Sequence, residues 1–243
     1  IAIDELRGNA GGEKFQCNIA DPVKHQVIDI LPSRNTENLC KHFLEYPYKE
    51  RAAVKKIVMD LSNLFRSVAK TMFAEAKIVA DKFHVIRAVI NSLENVRKRI
   101  QKEFHATKRK WFKRSRYLLL KPEYKLTSED KTELARMLNS SYDLEKAYVL
   151  KERFYEVFRK QTRTEAKKEL GKWLLLAADL SLPEFRHCIT TFSNWKTEIA
   201  NIIGERVSNG FIEGSNNKIK VLKRISYGVQ NFDRFRNRIL YLQ

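Results

Sequence analysis

The sequence predicts an α/β protein in which a mixed sheet is interrupted by a large all-helical insertion. Three observations carry that expectation. Residues 1–85 alternate short apolar runs with amphipathic stretches. From Phe83 to about Glu205, apolar residues recur every three or four positions and no strand-like alternation intervenes. Three acidic residues also stand in separate, distinctive settings. Asp4 ends Ile1-Ala2-Ile3, Asp60 ends Ile57-Val58-Met59, and Glu213 lies downstream in Asn209-Gly210-Phe211-Ile212-Glu213-Gly214-Ser215-Asn216-Asn217-Lys218.

The elements follow in order. Ile1–Asp4 reads as a strand, and Gly8 with the pair Gly11-Gly12 marks a turn. Lys14–Ile19 and Gln26–Leu31 read as two more strands joined at Asp21-Pro22. Asn35 or Thr36 is set to cap a helix through Tyr46 that turns Leu39, Phe43 and Tyr46 inward. Lys56–Asp60 is a fourth strand. Ser62 caps a helix to about Phe73 with Leu64, Phe65, Val68 and Met72 inward, and Ala76–Ala80 is a fifth strand ending at Asp81. Strand, strand, strand, helix, strand, helix, strand is the ribonuclease-H-like order, in which sites gather at strand carboxyl ends.

Beyond it, Ile86, Val89, Ile90, Leu93, Val96, Ile100 and Phe104 keep helical spacing. A basic stretch follows at Lys108–Arg116, and further helices are expected over Ser128–Asn139, Asp143–Arg159, Arg163–Ala178 and Pro183–Ile203. Asn209–Gln243 reads as two helices broken at Tyr227-Gly228, the second capped by Asn231, with Phe232, Phe235, Ile239 and Leu242 inward. The expected domains are therefore an RNase H-like core, 1–85 with 206–243, and a helical insertion, 86–205.

Composition narrows the function. The 243 residues carry 47 Lys+Arg against 29 Asp+Glu, a net charge of +18. Such an excess points to a polyanion, because Lys and Arg release counterions when they meet phosphates. Hydrophobic residues at 43% exclude wholesale disorder. Cys17, Cys40 and Cys188 form no C-x-x-C pair, so neither a zinc site nor a disulfide framework is expected, and reduced thiols suit a cytoplasmic setting. No run reaches transmembrane length and no signal peptide leads the chain. The chain opens on Ile1 directly into a strand, as a fragment of a longer protein would.

An acidic site on a basic body suits phosphoryl transfer. Carboxylates are hard ligands for Mg²⁺, and two ions can clamp the attacking and leaving oxygens of a phosphodiester. Each acid also has a bland explanation. Asp4 and Asp60 would serve equally as strand-end turn or helix caps, and Glu213 as a first-turn acid favoured by the helix dipole. Asn216, Asn217 and Lys220 share the helical face of Glu213, while Lys218, Lys223 and Arg224 extend the positive charge. Asp81 and His84 form a D-x-x-H pair, read as a hydrogen-bonded pair stiffening the core. Trp111, in the basic stretch, and Trp195 are candidates for stacking an unpaired base, with core packing the stronger reading for Trp195.

Ile1-Ala2-Ile3-Asp4-Glu5, Val58-Met59-Asp60-Leu61-Ser62, Ala80-Asp81-Lys82-Phe83-His84-Val85, Ser208–Lys220 and Leu222-Lys223-Arg224-Ile225-Ser226-Tyr227-Gly228 occur in one order along the chain. Together with Asn231–Arg238 they resemble the DDE transposases of the ISL-three insertion-sequence family. The resemblance implies a bacterial transposase with an RNase H-like domain, cutting and joining DNA with two Mg²⁺ ions, for which Mn²⁺ substitutes. It implies Asp4, Asp60 and Glu213 as the metal-binding triad, with Asp81 and His84 auxiliary; Asp81 remains an alternative to Asp60 as the second acid. Members normally carry an N-terminal zinc-binding and helix-turn-helix region, which is expected to be missing from this sequence. The expected partners are transposon-end and target DNA and a second copy of the chain on that DNA. Lys218, Lys220, Lys223, Arg224, Lys108, Arg109, Lys110 and Trp111 are the expected DNA contacts. A decayed transposase that only grips DNA and an RNase H-like nuclease are the alternatives.

Overall fold

The computed structural model describes residues 1–8, 13–205, 210–226, 229 and 231–242. The expected turn at Gly11-Gly12, the capping residues Ser208 and Asn209, and the break at Tyr227-Gly228 lie outside the described residues. The chain divides into two compact units, 1–83 with 205–243, and 84–204.

The first unit holds five strands: β1 (Ala2–Arg7), β2 (Phe15–Asp21), β3 (Gln26–Leu31), β4 (Lys56–Met59) and β5 (Lys77–Ala80). They form one mixed sheet in the order β3-β2-β1-β4-β5. β1, β2 and β3 are antiparallel neighbours, whereas β4 lies parallel to β1 and β5 parallel to β4. A tight turn joins β2 to β3: Asp21 Oδ1 accepts from Val23 N at 2.9 Å and Lys24 N at 3.0 Å, and His25 adopts φ 55°.

Consecutive residues of β1 (Ala2, Ile3) and of β4 (Ile57, Val58, Met59) are all buried, so both sheet faces are covered. On one face, α12 (Gly210–Ile225) packs on β1 and β2 and α13 (Phe232–Tyr241) on β3, closing a core of Leu6, Val27, Ile30, Ile219, Phe235 and Ile239. The other face belongs to α1 (Thr36–Leu44), α2 (Tyr48–Ala53) and α3 (Asn63–Met72). There Ile19 shares a cavity wall with Phe43 and Phe73, whose rings meet edge to face at 4.7 Å. The predicted caps form: Asn35, Ser62 and Asn231 accept from Asn38 N, Phe65 N and Arg234 N.

Glu205 brings the chain back into this unit. Its side chain is 2% exposed and takes Lys56 at 2.5 Å and Lys77 at 3.5 Å, the first residues of β4 and β5.

The second unit is helical. It takes most of α4 (Lys82–Ile100), then α5 (Ala106–Arg114), α6 (Arg116–Leu120), α7 (Ser128–Leu138), α8 (Tyr142–Tyr155), α9 (Arg163–Leu180), α10 (Arg186–Asn194) and α11 (Lys196–Ala200). Thr162 and Glu165 form a reciprocal capping box at the start of α9. Phe154 stacks on Phe192 at 5.3 Å and meets Trp173 edge-on at 5.0 Å; the Trp173 indole N–H donates to the Leu150 carbonyl at 2.8 Å. Lys151 is buried, and its ammonium donates to the carbonyls of Leu119 and Lys121 at 2.9 and 2.7 Å. Burial holds that ammonium below the usual lysine value, against the opposing pull of Glu152.

Four expectations need correction. Tyr46 falls past the end of α1 and is 36% exposed. Leu242 lies beyond α13 and is 45% exposed. α2 has no counterpart among the expected elements: it buries no residue, so it leaves no apolar stripe to read. The helix expected over Pro183–Ile203 is broken at Trp195, which is 1% exposed, so the residue that ends α10 is a core anchor and not a base-stacking platform.

Truncating Phe192 to Ala removes the ring shared by Phe154 and Trp173. Urea denaturation followed by tryptophan fluorescence is expected to show a loss of about 3–5 kcal/mol.

Candidate active site

Three neighbouring strands carry the acids. Ala2 and Ile3 pair with Val58 and Met59, and Met59 pairs with Ala80. Asp60 and Asp81 directly follow β4 and β5, and Asp4 lies one residue past the last β1–β4 pair, inside β1, which runs on to Arg7 and does not end at Asp4 as expected. The Asp81 N–H donates to the Met59 carbonyl at 2.8 Å, so pairing persists to the end of the row. Residues in register point to the same sheet face. β4 and β5 are followed by acids because apolar side chains fill both faces up to Met59 and Ala80, where the strands stop.

Asp60, Asp81 and His84 each offer a ligand atom within 4.8 Å of the other two, the one such His/Cys/Asp/Glu group among the described residues. Asp81 is buried, and its Oδ1 accepts from Phe83 N at 3.1 Å in the first turn of α4, which carries His84. Two carboxylates and an imidazole suit a divalent cation: the oxygens fit Mg²⁺ or Mn²⁺, and the imidazole widens the choice toward softer metals.

Asp4 is held differently. It is 8% exposed, its Oδ1 accepts from Glu5 N at 2.7 Å, and its Oδ2 accepts from the Asn216 amide at 2.7 Å. Asn216 Oδ1 in turn accepts from Asn18 Nδ2 at 2.8 Å, and Asn18 pairs with Asp4 across β1 and β2. Asn216 is 4% exposed, so it faces inward as a strut to the sheet, and is not a solvent-facing ligand. Glu213 lies one turn earlier on α12 and is exposed. Asn217, Lys220 and Arg224 continue the exposed side of that helix.

The expected DNA contacts fall into separate groups. Lys220 and Arg224 are exposed on α12. Lys223 sits near Arg7; burial first, then the Arg7 charge, holds its ammonium below the usual value. The Lys218 ammonium donates to the Leu242 carbonyl at 2.6 Å. In the helical unit, Lys108 lies 4.1 Å above the Phe104 ring, and the Trp111 indole N–H donates to Glu133 of α7. Arg109 and Lys110 are exposed. Trp111 thus ties two helices together, and Lys108 covers a ring.

Sequence reasoning missed Asn18. The signal was an amide in the middle of the otherwise apolar Cys17-Asn18-Ile19-Ala20, directly across from Asp4. Beside it, burial and then the Asp4 and Asp29 carboxylates push the Cys17 thiol well above its ordinary value, so it remains protonated.

A family model described as "Transposase", for the ISL-three type of DDE transposase, matches residues 1–239, and the chain belongs to that family. It is 25% identical over 239 residues to a transposase for insertion sequence element IS1001 from Bordetella parapertussis, covering 97% of this chain and 58% of that protein. It is 27% identical over 254 residues to a transposase for insertion sequence element IS1557 from Mycobacterium tuberculosis, covering 95% of this chain and 57% of that protein. The chain therefore spans less than three-fifths of the length of these relatives. A shorter match, 35% over 94 residues, is to a Lactococcus lactis protein named an ATP-dependent protease; it covers 38% of this chain and 26% of that protein. No solved structure matches. Among the described residues, no helix is long and apolar enough to cross a membrane.

Asn216→Ala leaves the Asp4 carboxylate short of a donor inside the protein, at an expected cost of about 1–3 kcal/mol. Glu213→Gln, on an exposed side chain, is expected to stay within about 0.5 kcal/mol of the parent. Urea midpoints of the two variants check the contrast.

Proposed function

We propose that this chain is the catalytic portion of an insertion-sequence transposase: an RNase H-like polynucleotidyl transferase that cleaves DNA at element ends and joins it to a target. The helical unit is the insertion of that fold. The observation that carries the reading is the row of acids on neighbouring strands, Asp4 within β1 and Asp60 and Asp81 just after β4 and β5, with α12 fastened to Asp4 through Asn216. Family membership supports it.

In this reading Asp4, Asp60 and Glu213 hold divalent cations, Mg²⁺ by the hardness of the carboxylate oxygens, and Asp81 and His84 complete the surroundings of Asp60. Such cations, when bound, supply positive charge to the attacking and leaving oxygens of a phosphodiester. The protein's own task is placement. Asn216 and Glu5 N fix both oxygens of Asp4, so the carboxylate is oriented before any ligand arrives. Lys220 and Arg224, on the exposed side of α12, hold the DNA backbone without reading its bases. In the first reaction a water oxygen bonds to phosphorus as the bond to the 3′ oxygen breaks, leaving a 3′-hydroxyl and a 5′-phosphate. In the second that 3′-hydroxyl attacks a phosphodiester of the target, releasing a new 3′-hydroxyl there. Two copies of the chain acting on the two element ends complete the proposal.

Calorimetric titration with Mn²⁺ tests it. Asp60→Asn is expected to weaken binding by at least about tenfold, and Asp81→Asn and Glu213→Gln by less, because Asp60 alone belongs both to the proposed triad and to the Asp60, Asp81 and His84 group. In parallel, Mg²⁺-dependent nicking of supercoiled plasmid is expected from the parent chain and not from Asp60→Asn. Undiminished Mn²⁺ affinity in Asp60→Asn would overturn the assignment. Metal binding without nicking would favour a protein that grips DNA and no longer cuts it.

A further inference from the structure

The helical unit contains a concave, strongly cationic groove of about 460 Å³, lined by Arg97, Lys98, Lys102, Arg109, Lys113 and Arg116 around Glu94 and Gln101. The basic run Lys108–Arg116 supplies only part of it. Arg109, Lys113 and Arg116 recur at helical spacing from α5 into α6, while Arg97 and Lys98 come from the last turn of α4 and Lys102 from the turn that follows.

Its charges are not balanced internally. Glu94, 7% exposed, is the one carboxylate in the lining, and it is already committed. It accepts from Arg97 Nε at 3.0 Å and Nη2 at 2.5 Å, and lies 3.3 Å from Arg116 Nε. Arg97, 3% exposed, also donates to Gln101 Oε1 at 2.6 Å, so its guanidinium is locked in place. Lys98, Lys102, Arg109 and Lys113 have no carboxylate partner among the described residues. Arg99, two residues past Arg97 on α4, shows how this unit treats a structural arginine: it is neutralised by Glu184 at 2.6 Å and Asp143 at 2.9 Å. Four unpaired cations around one concavity repel one another and destabilise the fold unless an anion enters.

We propose that this groove is a second nucleic-acid contact, distinct from the acidic row, which takes the phosphodiester backbone of duplex DNA independently of sequence. Lysines and arginines without a hydrogen-bond acceptor beside them suit phosphate oxygens, and the mixture of flexible ammoniums with a locked guanidinium suits a backbone more than a base edge. The inference rests on the chain acting on DNA, and it assigns that contact to the helical unit.

The test is fluorescence anisotropy with a labelled duplex of about 30 base pairs and arbitrary sequence, titrated with the full chain over a range of salt. Lys98→Gln/Lys102→Gln/Lys113→Gln removes three exposed charges from the groove. Lys167→Gln/Lys168→Gln/Lys172→Gln removes the same charge from α9. Each phosphate contact contributes about 0.9 to the slope of log affinity against log salt, so the groove variant is expected to lose about 2–3 from that slope and at least about tenfold in affinity near 0.1 M salt. The α9 variant is expected to lose clearly less. Equal losses in the two variants, an unchanged slope, or a parent chain that fails to bind the duplex would each overturn the groove assignment. The Mn²⁺ titration reads the acidic row alone, so a failure here leaves that result standing and the two readings are judged separately.

Discussion

The first unit depends on a buried chain of three polar side chains. Asn18 donates to Asn216, and Asn216 donates to Asp4, joining α12 to β1 and β2 across about two hundred residues of sequence. A carboxylate buried at a strand position is costly unless its oxygens find donors. Asn216 meets that need and so fixes the seating of α12 on the sheet. The apolar contacts of Ile219 with Leu6, Val27 and Ile30 follow from that seating, and α13 packs beside them through Phe235 and Ile239. The exposed side of α12, with Glu213, Lys220 and Arg224, is presented as a consequence.

The two units divide their chemistry by charge. The first carries acids on neighbouring strands, Asp4 within β1 and Asp60 and Asp81 just past β4 and β5. The second carries unpaired cations on helix surfaces, with its single lining carboxylate used to brace Arg97 and Arg116. Buried polar groups serve as internal struts in both: Asn216 in one, Lys151 beneath two carbonyls in the other. Each strut lies far in sequence from these partners: Asn216 fixes how α12 meets the sheet, and Lys151 fixes how α8 meets the end of α6.

Much of the sheet was legible because its strands are punctuated. The apolar runs ending in Asp60 and Asp81, the Asp21-Pro22 turn, and Asn35, Ser62 and Asn231 as caps are local signals, and the five strands formed near their expected places, although β1 runs three residues past its expected end at Asp4. What was not legible depends on distant residues. Nothing near Trp195 announces a break; the ring is drawn into the core and the helix yields there. Asn216 read as part of an exposed polar stripe with Glu213, because only the sheet beneath reveals that it turns inward. Asp60 and Asp81 read as competing candidates, whereas strand register makes them neighbours. The Trp111 hydrogen bond to Glu133 and the seat of Lys108 over the Phe104 ring were not legible either, since each joins residues that only the packing of helices brings together.

Glu205 bears on how the second unit is spliced into the first. The chain leaves the sheet just after β5 but returns beside Lys56 and Lys77, at the opposite ends of β4 and β5. Four residues of strand separate exit from re-entry, about 13 Å. A helical unit inserted at a hairpin could be excised and the cut ends joined by a tight turn. Here the cut ends would face one another along the length of a strand, and a graft in place of residues 84–204 would need at least about four extended residues to close the gap. The insertion point is thus part of the sheet's own architecture, which makes the helical unit a poor candidate for simple removal and a better one for exchange.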